Sequence, residues 1–223
     1  VKQAQEIKIY FNKSVQLFSE KYNYQFETYE ISGNNRISDS YIEKIVSKYY
    51  GNSIFMLPLI KISKKLQQDN WIKNIKLSID YKNKLIINIE EYHPVGIYKF
   101  NGNLFYFTEK GKIIDKVDQD ILQDKKLLIF SGKSSNIKAS NLINLLKKLD
   151  YNFATKIKMI ELINERRWNI KINNDVVLKL SEQSPHSSIL NYLKLQENLS
   201  EVQMNNIKTF DLRNINKSVL VYN

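Results

Sequence analysis

The first apolar pattern in the chain is helical. Ile7, Phe11, Val15, Phe18 and Tyr22 recur at spacings of three and four residues, which predicts one apolar stripe on an N-terminal helix. Such a helix either leads into a first domain or lies on a membrane surface. The spacing by itself favours a helix that leads into a domain.

The next pattern, residues 29–94, combines strands with short helices. Residues 29–32 end a strand at a Gly-Asn turn, and two helices follow. Ser38 or Ser40 can cap the first helix, and Pro58 can begin the second. Residues 75–81 and 85–91 then alternate apolar and polar side chains across a turn at 82–84, as a hairpin with one buried face does. The segment predicts a β-α-α-β-β unit that ends at Pro94.

Beyond Pro94 strand patterns outnumber helical ones. Helices are predicted at 136–149 and from Ser184-Pro185 onward, and the fold class is α+β with a mostly antiparallel sheet and two helices. The strands are predicted at residues 95–100, 104–108, 112–115, 127–130, 156–163, 168–172, 176–180, 207–212 and 218–222.

Composition narrows the class of protein. With 43% hydrophobic and 26% charged residues the 223-residue chain is typical of folded domains. It has no cysteine, hence no disulfide framework. Its apolar runs fall well short of the roughly 18 residues of a membrane span. Because residue 1 is Val and not Met, we expect a piece of a longer protein.

The net charge of +11 raises the possibility of nucleic-acid binding. Only four of the 34 basic residues are arginine, although base and phosphate recognition favours the planar guanidinium group. The charge is also spread along the whole chain. We therefore expect a generally basic surface that suits anionic lipid, and no nucleic-acid partner.

Candidate catalytic residues are few. The two histidines, His93 and His186, lie in different predicted domains, and no glycine-rich phosphate loop or metal-ligand spacing is present. Glu90 and Glu91 are strand neighbours that point to opposite faces, so they cannot act as a carboxylate pair. We expect no enzymatic activity, no metal and no cofactor.

Five short motifs occur in one order along the chain, and each resembles part of a known family. The 29–94 unit resembles a POTRA domain, and the chain as a whole resembles the extracytoplasmic part of the FtsQ/DivIB family of bacterial cell-division proteins. The motifs are Tyr29–Asn34 with Ser38–Ile42, Glu91–Val95, Leu104–Gly111, Arg166–Ile170 with Asn173–Asp175, and Phe210–Arg213.

The resemblance implies a division of the chain and a place in the cell. Residues 1–25 would be a juxtamembrane helix, 26–93 the POTRA domain and 94–223 the family's β domain. The protein would be anchored in the inner membrane by a single pass that is absent from this chain, with this portion in the periplasm at the division septum.

The same resemblance implies a role without catalysis. The protein would be a divisome scaffold whose β domain binds the FtsB–FtsL pair and whose POTRA domain contacts other division proteins. The alternative is a POTRA-containing component of outer-membrane assembly or secretion.

The last strand offers a physical means of binding. Residues 217–222 are short and rich in β-formers, so we expect them at a sheet edge, where a partner strand can complete the backbone hydrogen bonds. The resemblance places partner contacts at and near this strand, with Arg166 or Arg167 as a nearby cation. The expected partner-binding residues are Arg166, Arg167, Arg213, Asn214, Asn216, Ser218, Leu220, Val221 and Tyr222.

Some of these side chains also have a structural alternative. Tyr222 could simply cover the sheet edge, and Arg213 could pair with Glu161 or Glu165 within the chain. For the neighbouring Trp168, packing in the core is the expectation.

Overall fold

The computed structural model describes residues 2–80, 83–117, 127–149 and 151–222. The chain divides into two compact units, residues 1–92 and 93–223, called here the N-terminal and C-terminal units. Tyr81 and Lys82, which belong to the predicted hairpin and its turn, lie outside the described residues.

The N-terminal unit contains a three-stranded sheet in the order β1-β3-β2. β1 runs parallel to β3 because two helices separate them in sequence, and β2 is antiparallel to β3. The predicted β-α-α-β-β order is confirmed. Its elements are α1 (Lys2–Tyr22), β1 (Thr28–Ser32), α2 (Asp39–Val46), α3 (Leu59–Leu66), β2 (Ile72–Asp80) and β3 (Lys84–Glu91).

The structure shows which of the two candidate serines caps α2. The Ser38 hydroxyl accepts a hydrogen bond from the Tyr41 backbone N–H at 3.3 Å, and Ser40 lies inside the helix. Such a cap satisfies one of the free N–H groups of a helix start.

The two strands of the hairpin differ in burial. Leu85, Ile87 and Ile89 of β3 are buried, as predicted. In β2, Ile72 is buried but Ile75, Leu77 and Ile79 are only half-buried, so the predicted dry face is incomplete there. Within the described residues β2 has a neighbouring strand on one side only, and an edge strand receives less cover.

Neighbouring glutamates at the end of β3 point to opposite faces, as predicted. Glu90 is exposed and pairs with Lys73. Glu91 is 6% exposed, and its Oε1 accepts hydrogen bonds from the backbone N–H groups of Arg36 at 2.9 Å and Ile37 at 3.0 Å. The buried carboxylate therefore holds the segment before α2 against the end of the sheet.

Polar side chains of α1 tie the helix to its unit through hydrogen bonds. The Ser19 hydroxyl donates to the Ser53 hydroxyl at 2.7 Å, and the Ser53 N–H donates to the Gln16 side chain at 2.8 Å. The apolar stripe predicted from the sequence, including Ile7 and Phe11, is exposed. Its helical period is confirmed, but apart from a ring contact between Phe18 and Tyr24 the stripe is not covered by the domain to which α1 leads.

The described part of the C-terminal unit contains one nine-stranded sheet in the order β12-β11-β10-β9-β8-β7-β4-β5-β6. The pairs β4–β7, β7–β8 and β10–β11 are parallel and the other five neighbouring pairs are antiparallel, so the sheet is mostly antiparallel as predicted. Its strands are β4 (Gly96–Phe100), β5 (Asn103–Phe107), β6 (Ile113–Lys116), β7 (Ile129–Ser131), β8 (Ile157–Ile163), β9 (Arg167–Ile172), β10 (Val177–Leu180), β11 (Ile207–Asn214) and β12 (Lys217–Tyr222).

Four α-helices, not the two predicted, accompany this sheet within the described residues. The predicted pair is α4 (Ser135–Lys148) and α6 (Pro185–Asn198), and the additional helices are α5 (Tyr151–Thr155) and α7 (Glu201–Asn206). The additional helices are five and six residues long, which is too short to show a repeating apolar face.

Two groups of aromatic rings lie in the core of the C-terminal unit. Phe130 contacts Phe107 and Trp168 edge-to-face, at ring-centroid distances of 5.6 and 5.9 Å. Tyr192 of α6 contacts Phe210 of β11 in the same geometry at 5.1 Å. Trp168 is buried, which confirms its predicted role in packing. Such pairs add to the burial energy of the rings and fix α6 against the strand next to β12.

Candidate partner-binding edge

Strand β12 forms one edge of the nine-stranded sheet. It pairs antiparallel with β11, and no strand of the described residues lies on its other side. In an antiparallel ladder alternate residues direct their N–H and C=O groups to one neighbour. Every second residue of β12 therefore presents its backbone groups outward, as expected for the last strand.

Side chains along β12 alternate between the core and solvent. Leu220 lies opposite Phe210 and packs on the hydrophobic core. Val219 and Val221 lie on the other face, where both are exposed. Tyr222, opposite Ile207, is half exposed. An added strand would thus find two valines and an aromatic ring next to a free backbone edge.

The turn between β11 and β12 is held by its own asparagines. The Asn214 side-chain oxygen accepts a hydrogen bond from the Asn216 N–H at 2.9 Å, and the Asn191 amide of α6 donates to the Ile215 carbonyl at 3.2 Å. Asn214 and Asn216 are exposed. Short polar side chains are suited to such turns because they bond to nearby backbone.

Arg213 forms its ion pair with Asp211, and not with Glu161 or Glu165 as the sequence suggested. The Arg213 Nε donates to both carboxylate oxygens of Asp211, at 2.8 and 3.0 Å. This hydrogen bonding holds the pKa of Asp211 below its usual range and raises that of Arg213. The carboxylate thus stays charged in mild acid, and it fixes the direction of the guanidinium group.

The three candidate arginines line one depression. Arg166 and Arg167 come from the start of β9 and Arg213 from β11, and the depression has a volume of about 430 Å³. Arg166 pairs with Glu182 at 3.4 Å. Arg167 takes part in none of the ion pairs found among the described residues, and its buried Nε has no hydrogen-bond partner there. The depression therefore holds one guanidinium group whose charge is not matched within the described chain.

A second opening of about 640 Å³ adjoins the first and runs beside the β11–β12 turn. It shares Arg213 with the arginine depression. The residues that line both openings are Ser181, Gln183 and Arg213, and those that line the second opening alone are Asp211, Asn214, Ile215, Asn216, Lys217 and Val219. The groove thus leads from the arginines to β12.

One buried serine holds the elements around the groove together. The Ser188 hydroxyl of α6 accepts a hydrogen bond from the Ser181 N–H at 2.9 Å and donates to the Leu212 carbonyl at 2.8 Å. It thereby ties the end of β10 and the strand β11 to one helix. Ser188 is fully buried, so no water replaces these bonds if the hydroxyl is removed.

Sequence reasoning missed several residues of the groove. Lys217 and Val219 share the exposed face with Val221, and the alternation of a strand could have identified them. Ser181 and Gln183 lie in the connection from β10 to α6, where no periodic pattern exists.

The two histidines were the other candidates for chemistry. His93 and His186 are exposed, and no group of three His, Cys, Asp or Glu side chains among the described residues is arranged to hold a metal ion. Among the helices of the same residues, none combines the length and the apolar character that crossing a membrane requires.

Two family models match this chain. The model "Cell division protein FtsQ/DivIB, C-terminal" covers residues 96–213, which is more than half of the chain and includes β4 to most of β11. The model "POTRA domain, FtsQ-type" covers residues 25–92. Together they extend over nearly all of both units except α1 and β12.

Similar curated proteins carry the same description. The cell division protein FtsQ of Rickettsia typhi is 29% identical over 208 residues, which are 93% of this chain and 76% of that protein. FtsQ of Rickettsia prowazekii is 28% identical over 88% of this chain and 72% of its own length. FtsQ of Agrobacterium fabrum is 23% identical over 84% of this chain and 58% of that protein.

A solved structure is also similar. It is the major extracytoplasmic domain of the cell division protein DivIB from Geobacillus stearothermophilus, with 12% identity and a TM-score of 0.33 over 50% of this chain and 99% of that chain.

Proposed function

Because this chain belongs to the FtsQ/DivIB family of cell division proteins, we propose that it is a non-enzymatic scaffold that binds the FtsB–FtsL pair by strand addition at β12. The family membership establishes a role in cell division. The proposal adds the partner, the strand that receives it and the absence of turnover.

The observation that carries the proposal is the open edge of β12. Six residues, Lys217–Tyr222, form this strand, so about three of them face outward and offer roughly six backbone hydrogen bonds to an added strand. At about 0.5–1.5 kcal/mol net for each bond, the backbone would contribute about 3–9 kcal/mol before the cost of association. Backbone pairing alone therefore gives weak binding, and side chains must add to it.

The arginine depression supplies one such contribution. Arg167 has no ion pair among the described residues, and the depression joins the groove that reaches β12. A carboxylate of the partner could complete the bonding of this guanidinium group. The proposed partner segment is an extended strand with an acidic residue that lies outside the paired portion.

The proposal places this portion of the protein in the periplasm at the division septum. A single membrane helix outside this chain would anchor it in the inner membrane, and the POTRA unit would contact further division proteins. The alternative of an outer-membrane assembly or secretion component is disfavoured, because the POTRA match is to the FtsQ type and residues 96–213 match the FtsQ/DivIB family.

Capture of purified FtsB–FtsL pair by the 223-residue chain tests the proposal. A truncated chain that ends at Lys217 and the variant Arg213→Glu should both lose capture, with circular dichroism spectra like that of the parent. Lys110→Glu, an exposed residue that precedes β6 at the opposite end of the sheet, carries the same charge change and should retain capture. Full capture by the truncated chain would refute strand addition at β12.

Single proline substitutions at residues 218, 219, 220 and 221 separate backbone pairing from side-chain contact. Proline removes an N–H group, and N–H groups alternate between β11 and the outer side. Alternate positions should therefore lose capture with little change in thermal stability, while the positions between them lose stability. If capture depends on the side chain removed and shows no such alternation, the partner does not add as a strand.

A further inference from the structure

Helix α1 carries an apolar stripe that its own unit leaves uncovered. Ile7 is 70% exposed and Phe11 is 64% exposed, and Phe18 and Tyr22 are also exposed. At about 100° per residue these four side chains fall within an arc of about 60° on the helix. All side chains from residue 3 to residue 11 are exposed, so the first turns of α1 project from the unit.

The side of α1 that contacts the unit is a different one. Ser19 is fully buried and lies about 90° around the helix from the centre of the stripe. Gln16 forms hydrogen bonds with the Gly51 carbonyl and the Ser53 N–H, and it lies still farther around the helix from the centre of the stripe. The polar contacts that hold α1 in place thus leave the stripe available.

Aromatic rings extend the stripe onto the body of the unit. Phe18 stacks on Tyr24 with ring centroids 6.1 Å apart, and Tyr24 contacts Phe55 at 5.3 Å. Phe55 is 45% exposed. The apolar surface therefore continues from the helix to the segment before α3 and is larger than one helix face.

Two lysines of α1 flank the stripe: Lys8 and Lys21 lie about 70° to either side of its centre. Glu6, Lys13 and Glu20 lie farther away, at about 130°, 150° and 170°. Lysines beside an apolar face and aromatic rings within it are typical of helices that lie in the headgroup region of a membrane. We propose that α1 lies along an anionic lipid surface through the stripe Ile7, Phe11, Phe18 and Tyr22.

Binding to vesicles tests this proposal with the 223-residue chain. The partition coefficient for vesicles of phosphatidylcholine with phosphatidylglycerol should exceed that for phosphatidylcholine alone, and 0.5 M salt should lower it because the Debye length shortens. Ile7→Asp should reduce the coefficient at least roughly tenfold, since it removes apolar area and adds a negative charge. Lys8→Gln should reduce it roughly fivefold.

Matched controls come from the opposite side of the same helix. Ile9 is 68% exposed but lies about 170° from the centre of the stripe, so Ile9→Asp should leave the partition coefficient within about twofold. Both aspartate variants make the same change in charge and residue type at neighbouring positions, so a general effect on the helix would appear in both.

Three results would overturn the proposal. The first is an equal loss of vesicle binding in Ile7→Asp and Ile9→Asp, and the second is equal binding of the parent protein to neutral and anionic vesicles. The third is self-association of the protein, seen in sedimentation velocity and abolished by Ile7→Asp. The last result would assign the stripe to a second copy of the chain. Capture of FtsB–FtsL in solution without lipid should be unchanged in Ile7→Asp, so this proposal and the proposed function can fail separately.

Discussion

Removing the buried carboxylate of Glu91 should destabilise the N-terminal unit strongly. Its Oε1 accepts hydrogen bonds from the backbone N–H groups of Arg36 and Ile37, and no solvent reaches most of the side chain. Glu91→Ala leaves two buried donors without a partner, each at a cost of about 1–3 kcal/mol. We expect the free energy of unfolding to fall by about 2–6 kcal/mol.

Two further variants provide reference values for this loss of stability. In Glu91→Gln one amide oxygen can still accept both N–H bonds, so only the charge assistance is lost, about 1 kcal/mol. Glu90→Ala removes the exposed carboxylate of the Lys73 pair, and exposed pairs contribute at most about 1 kcal/mol. The neighbouring glutamates thus provide a test in which only the burial of the carboxylate differs.

Tryptophan fluorescence allows the N-terminal unit to be followed by itself. The chain has two tryptophans, and in a Trp168→Phe background only Trp71 remains. The Arg36 guanidinium lies 4.1 Å from the Trp71 ring, so the probe is beside the segment that Glu91 holds. Urea unfolding should rank the variants Glu91→Ala, Glu91→Gln and Glu90→Ala in order of decreasing destabilisation. Equal midpoints for Glu91→Ala and Glu90→Ala would contradict this account of the buried carboxylate.

Three further predictions concern single side chains. Ser188→Ala should lower the free energy of unfolding of the C-terminal unit by about 1–3 kcal/mol, because the hydrogen bonds of Ser188 to the end of β10 and to β11 are buried. Urea unfolding followed by Trp168 fluorescence measures this change, and Ser187→Ala should change the free energy little. Burial raises the pKa of Tyr192 from 10.0 to about 12, so its contribution to stability is complete below pH 10 and is lost as pH rises through 12. A hydrogen bond to Glu43 raises the pKa of Tyr29 to about 12 as well, so Tyr192→Phe should lower the tyrosinate absorbance gained in this late ionisation without abolishing it. Gly33→Ala should destabilise far more than Gly51→Ala in thermal unfolding, because both have φ near +80° but a Cβ at Gly33 would lie 2.0 Å from the Ile89 carbonyl oxygen and one at Gly51 would meet nothing within 4 Å.

Sequence periodicity was sufficient to predict the order of strands and helices but not which of their faces are covered by the rest of the chain. The stripe of α1 has the spacing of a buried face, yet Phe11 is exposed, because periodicity shows which side chains share a face and not what covers it. The same limit applies to β2, whose alternation predicted a dry face that an edge position leaves half-covered. Burial depends on partners from distant parts of the chain.

Local sequence patterns predicted part of the candidate site and missed the rest. The alternation of β12 and its place at the edge followed from its sequence. The pairing of Arg213 with Asp211 was missed although residues two apart share a strand face. The tie through Ser188 joins residues 7 and 24 positions away, and no local pattern reports such a contact. The α7 helix carried a visible signal, since Ser200 and Gln203 form a capping box.

The middle of the nine-stranded sheet has a mechanical consequence. β7 has only three residues, and it joins β4 to β8 through parallel pairing on both sides. A tension applied through a protein bound at β12 would pass through the strand pairs from β11 to β8 and reach β7, the shortest strand of the sheet. The sheet would separate at β7 first, so the hydrogen bonds of its three residues limit the force that the sheet can transmit between its two ends.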